Sequence, residues 1–176
     1  PAVKGDLLIM FHRKDGHETV DCMNATTGTP VWKYQYPVEY RDRYGYSNGP
    51  RASPVIVGNH VYAHGVTAWL TCLEVKTGKK AWQRNLAEEF EIPQYFFGKG
   101  SNPIVIKDTL IVNVGGSKER CVVGFDRLTG KTKWITKDSW GASYSSPSRA
   151  VIHGKEVCLV FTGGESRPPE GGLLVI

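Results

Sequence analysis

Leu73-Glu74-Val75-Lys76-Thr77-Gly78-Lys79-Lys80-Ala81-Trp82 returns as Phe125-Asp126-Arg127-Leu128-Thr129-Gly130-Lys131-Thr132-Lys133-Trp134, and Thr27-Gly28 is likewise followed four residues on by Trp32. The three glycines lie 50 and 52 residues apart. A fixed period of that size marks one supersecondary unit used repeatedly.

Around the second copy the chain reads as strands at 54–57, 61–63, 69–75 and 80–84, with Gly58-Asn59 as a hairpin signal. Short β-branched and aromatic runs separated by Gly and Asn predict a four-stranded antiparallel meander per repeat. The same plan places blades at 1–36, 54–86, 103–137 and, incompletely, 147–176. Pro54, Pro103 and Pro147 open a first strand, where a missing N–H is tolerated. Gly28, Gly78 and Gly130 fall in the turn between strands three and four, where positive φ is needed. Asn24 and Asp126 are placed to accept hydrogen bonds from turn amides, and Glu74 is a longer, poorer mimic in the same slot. Trp32, Trp82 and Trp134 read as apolar wedges between successive sheets.

Even spacing with one motif per sheet predicts an all-β fold, a β-propeller of four-stranded antiparallel blades. A parallel β-helix has shorter rungs, and nothing in a sandwich calls for three equally spaced units. No long segment keeps a 3.6-residue period, so helices are expected to be scarce. About three and a half blades are present, whereas propellers close with ~4–8. The chain is therefore expected to be part of a seven- or eight-bladed ring; two copies about a two-fold axis would also close a ring of seven.

No apolar run reaches the ~20 residues of a membrane span. The net charge of +5 is dispersed, without the continuous basic stripe that nucleic-acid binding asks for. Cys22 and Cys72 occupy the same place in adjacent repeats; buried thiols and a disulfide are both open, while a metal site is disfavoured by the lack of CxxC or clustered His. His12, His17, His60, His64 and His153 read as solvated residues in or beside turns, and no catalytic residue is assigned. The stretch 163–172 reads as a flexible hairpin loop rather than a nucleotide cradle.

Function is sought in the insertions 37–53, 87–102 and 138–146, which emerge on one face of a propeller and descend toward its axis. Each carries an aromatic, a glycine and small polar residues. In one reading the aromatics cap the core and the Ser and Asn side chains satisfy turns. In the other, Tyr46, Phe97 and Trp140 rim a pocket or partner surface, and Asn48, Arg51, Asn102, Tyr144 and Ser145 supply polar contacts. Rings with an Arg nearby are the composition of interfaces. Tyr34, Tyr36, Tyr40 and Tyr44 enrich the first insertion further.

The two decapeptides quoted first resemble the tryptophan-docking motif of pyrroloquinoline-quinone-type propeller repeats, and the resemblance spans nearly the whole chain. That superfamily includes eight-bladed quinoprotein alcohol dehydrogenases. It also includes cofactor-free propellers similar to the lipoprotein of the outer-membrane barrel-assembly machinery, which bind protein partners. The long aromatic insertions resemble those of exported bacterial members, which implies a periplasmic or envelope location. A dehydrogenase site would imply a disulfide of adjacent cysteines, calcium held by Glu and Asn near a catalytic Asp, and a Trp against the quinone. Here no two cysteines are adjacent, no carboxylate accompanies Asn48 or Asn102, and Trp140 stands alone. The expectation is a non-catalytic scaffold without cofactor, binding a protein or envelope polymer; the alternative is part of a quinone- and calcium-dependent dehydrogenase.

Overall fold

The computed structural model describes residues 1–93, 95–116, 118–163 and 170–176. Most of the loop read at 163–172 therefore lies outside the described residues. The first sheet is β1 (Ala2–Lys4), β2 (Leu7–Lys14), β3 (His17–Asn24) and β4 (Pro30–Pro37). The second is β5 (Val55–Val57), β6 (His60–His64), β7 (Trp69–Glu74) and β8 (Lys80–Asn85). A single helical turn, α1 (Leu86–Glu89), leads on to β9 (Ile104–Ile106), β10 (Thr109–Gly116), β11 (Arg120–Asp126) and β12 (Thr132–Ile135). The fourth sheet holds β13 (Ser148–Ile152), β14 (Lys155–Thr162) and β15 (Gly172–Val175). Among the described residues every strand is antiparallel to its neighbour in the chain, so each sheet is a meander. No helix of the described residues is long and apolar enough to cross a membrane.

Three apolar seams bind the sheets in chain order. Ile9, Val20 and Cys22 meet Val61, Ala63, Leu73 and Val75 in the first seam. Tyr62, Leu70 and Trp82 meet Val105, Leu110, Val112 and Phe125 in the second. Ile111 and Val122 meet Cys158, Val160 and Leu174 in the third. All four cysteines are buried and free.

Trp32 and Trp82 dock on the glycine one repeat ahead, whereas Trp134 packs over Gly124 of its own sheet and against the third seam. Trp32 Nε1 donates to the Val75 carbonyl at 2.8 Å, and a Cβ on Gly78 would sit 2.5 Å from its ring. Trp82 Nε1 donates to the Arg127 carbonyl at 3.1 Å, and a Cβ on Gly130 would sit 2.7 Å from its ring. These glycines hold φ of +70° and +72°. They thus serve a turn and a close approach at once, a double requirement no side chain meets. In the turns, Asn24 Oδ1 accepts from the amides of Thr26 and Thr27, and Asp126 Oδ1 from those of Leu128 and Thr129. Those amides hold the Asp126 carboxyl below its ordinary pKa. Glu74 takes only the Thr77 hydroxyl among these turn contacts, at 2.8 Å.

A second tie repeats where the insertions enter the first strands. The Ser53 amide donates to Asn102 Oδ1 at 2.8 Å, and the Asn102 amide donates to Ser146 Oγ at 2.9 Å. Both donors precede the proline that leads into a first strand, so the proline's missing N–H is offset one residue earlier by a contact to the next insertion.

Candidate functional site

The first insertion is fixed from both ends. Arg13, near the end of β2, donates to the carbonyls of Val38, Tyr40 and Asn48 at 2.7–2.8 Å. Asp42, only 2% exposed, accepts the amides of Tyr44 and Tyr46 and pairs with Arg51 Nη2 at 2.5 Å. Burial would raise its carboxyl, but those two amides and the guanidinium hold it below its ordinary pKa. Its own amide donates to Asn48 Oδ1 at 2.8 Å. Arg51 reaches on into the second insertion, donating from Nε to the Phe97 carbonyl at 2.6 Å.

On this frame stands a ladder of rings. Tyr46 and Tyr44 have centroids 5.7 Å apart, and Tyr44 lies 5.2 Å from Phe96. Phe96 meets Phe97 edge-on at 4.6 Å, and Phe97 lies 5.7 Å from Tyr144 of the third insertion. The Tyr144 hydroxyl accepts the Phe97 amide at 3.0 Å. Two guanidiniums flank the ladder, Arg43 at 5.3 Å from Phe96 and Arg51 at 5.4 Å from Phe97. Tyr44 and Tyr46 are 63% and 76% exposed, more than a ring would be if it only capped the core.

The residues singled out from sequence divide accordingly. Tyr46, Arg51, Phe97 and Tyr144 come together. Asn48 and Asn102 spend their side-chain oxygens on backbone amides within the insertions. Ser145 is exposed, and its amide donates to Ser143 Oγ at 3.1 Å. Trp140 turns away into the third seam, beside Leu174 and Gly172. Phe96 and Arg43 join the ladder, although sequence reasoning did not select them. Their signal was present, since Phe96 precedes Phe97 and Arg43 lies among the first insertion's tyrosines.

Beneath the insertions lie two buried polar groups that the sequence did not announce. Glu18, fully buried, accepts the Tyr36 hydroxyl at 2.6 Å and the Val66 amide at 2.8 Å, joining the first two sheets. Burial raises its pKa, against the pull of those two donors. His64 is fully buried rather than a solvated turn residue, because its place at the end of β6 faces the second seam. Its Nδ1 lies 3.2 Å from the Ser101 carbonyl. Burial and the nearby Lys99 charge lower its pKa to about 4.

A quinone–calcium centre does not fit these residues. The cysteines stand apart in different sheets, no metal-holding cluster of three acidic, His or Cys residues occurs among the described residues, and Trp140 is packed into a seam.

Fold and site together define a partial propeller whose insertions gather on one face. The chain belongs to the family described as outer membrane protein assembly factor BamB, whose model matches residues 16–167. Among solved structures it is similar to BamB from Moraxella catarrhalis, at 19% identity over 98% of this chain and 45% of that one, TM-score 0.58. It is similar in fold to a quinohemoprotein alcohol dehydrogenase from Pseudomonas putida HK5, at 18% identity over 93% of this chain and 27% of that one, TM-score 0.62. The computationally designed Ika4 protein matches at 10% identity over 99% of this chain and 88% of that one, TM-score 0.59. The chain thus spans less than half the length of the BamB it resembles. No curated protein sequence matches it.

Proposed function

We propose that this chain is a non-catalytic propeller scaffold that holds a protein partner of the cell envelope on its insertion face. The observation that carries the reading is the exposed ladder of Tyr46, Tyr44, Phe96, Phe97 and Tyr144, flanked by Arg43 and Arg51. Aromatic and arginine side chains on a rigid base give large contact area for little lost rotamer freedom, the make-up of binding hot spots. The rigidity is supplied by Asp42, Arg13 and Arg51 below. Membership of a family described as an assembly factor supports a protein partner ahead of an envelope polymer, and supports a periplasmic setting.

A photo-crosslinking phenylalanine placed at position 46, in the cell that makes the protein, tests this. The expected result is one adduct of defined mass, lost when Phe96 and Arg43 are both changed to Ser. Adducts that survive that change, or that form equally from position 79 at the opposite end of the sheets, would overturn it.

The first and last sheets also turn apolar side chains outward, among them Val3 and Val31 on one and Phe161, Leu173 and Val175 on the other. We infer that, without further blades, two copies bury these faces about a two-fold axis. Sedimentation is expected to give twice the 19.5 kDa chain mass; a monomer at every concentration would exclude the pairing.

A further inference from the structure

At the turn end of the sheets, opposite the insertions, the fold gathers charge that the sequence leaves dispersed. The turns at that end span residues 4–7, 24–30, 57–60, 74–80, 106–109, 126–132 and 152–155. Together they hold eight Lys and Arg against four Asp and Glu, which is four of the five net positive charges of the chain. Hydrogen bonds make these turns one surface. Lys4 Nζ donates to the Gly58 carbonyl, the Val75 amide to the Asn59 carbonyl at 2.9 Å, and the Arg127 amide to the Asp108 carbonyl at 3.0 Å. The indole bonds to the Val75 and Arg127 carbonyls tie the same turns from sheet to sheet.

The two signs of charge are used differently. Asp126 is spent on amides of its own turn, Asp108 pairs with Lys133 at 2.8 Å, and Glu74 takes the Thr77 hydroxyl. None of the eight cations forms an ion pair among the described residues. Lys76, Lys79, Lys107 and Lys131 are exposed. Lys107 holds φ of +55°, at the turn position that Gly5 and Gly58 fill in the first two sheets with +56° and +58°. A lysine is thus kept at a hairpin tip against the backbone cost of that conformation. Leu128 and Ile152, 50% and 40% exposed, stand among the charges.

We propose that the turn end rests on an anionic bilayer surface, with phosphate-bearing headgroups against the lysines and Leu128 and Ile152 entering the headgroup layer. Each Lys or Arg near such a surface adds attraction, which salt screens over the Debye length. Seven of the eight cations are lysines, flexible point charges suited to a mobile headgroup layer rather than to one fixed phosphate. None of these turns contains Phe, Trp or Tyr, so no ring is placed to stack on a nucleic-acid base. Docked this way, the chain turns its insertion face away from the bilayer. The inference does not rest on that face having a partner.

Co-sedimentation of the whole chain with vesicles of equal phosphatidylglycerol and phosphatidylcholine tests this, against vesicles of phosphatidylcholine alone. Binding is expected only to the charged vesicles, and it should be lost at about 1 M salt, where the Debye length is ~3 Å. Lys79→Gln with Lys131→Gln should weaken it about tenfold. Lys14→Gln with Lys137→Gln, a matched pair exposed at the insertion end, should leave it unchanged. Because the native cysteines are buried, a polarity-sensitive dye can be placed on Leu128→Cys. Its emission should shift to the blue with charged vesicles, whereas the same dye on Lys14→Cys should not respond. No binding to charged vesicles, equal binding to both kinds, equal loss from the two lysine pairs, or a dye response at 14 rather than 128 would overturn the proposal. Tighter binding to mixed-sequence duplex DNA than to charged vesicles would also overturn it, assigning the face to nucleic acid.

Discussion

Glu18 and His64 carry opposite pH dependences within a few strands of each other. Glu18 has a raised pKa, so above the ordinary 4.5 the folded chain keeps a proton that the unfolded chain has lost. Stability from this group is full below that value and falls as pH rises through the raised one. His64 has its pKa lowered from 6.5 to about 4, so in that window the unfolded chain takes up a proton that the folded one refuses. Its contribution is full above 6.5 and falls as pH drops toward 4. The two slopes oppose each other where their windows overlap. Glu18→Gln removes one of them, so its unfolding free energy should rise more steeply with pH between 4.5 and 6.5 than the wild type's. Urea titrations across that range read this directly, and identical profiles for the two proteins would show that Glu18 keeps its ordinary pKa.

Strands, turns and seams rest on the tryptophan–glycine contacts. Gly130→Ala should destabilise by roughly 2–4 kcal/mol, since the new Cβ combines a positive φ with a clash against the Trp82 ring. Trp82→Ala should cost roughly 3–5 kcal/mol through lost burial. If the contact is shared, the double variant costs less than the sum of the two, and strict additivity in denaturant unfolding would contradict the docking. This much was legible in sequence, because Thr-Gly with Trp four residues on is local and its period is visible by inspection. The direction of each insertion ring was not. Tyr46 and Trp140 sit in similar insertions, yet one reaches solvent and the other enters a seam. Asn48 and Asn102 look like free polar contacts until the amides of Asp42 and Ser53 are brought to them by the fold. Glu18 was invisible for the same reason, its partner Val66 lying 48 residues away.

At the scale of the whole molecule, the repeat makes the ends of the sheets unequal. One end carries tight Thr-Gly turns, closed by Asn24, Glu74 and Asp126 and held to the next sheet by tryptophan. The other carries the long insertions, where the rings and the two arginines gather. A scaffold built this way separates the residues that hold the blades from those that meet a partner, so the ladder can lose a ring without loosening a seam. Hydrogen exchange of the chain alone and with its crosslinked partner tests that division most directly. Protection should appear at residues 40–51, 95–99 and 142–146 and leave the turns at 25–28, 76–78 and 127–130 unchanged. Protection centred on those turns, with the insertions exchanging as before, would contradict it.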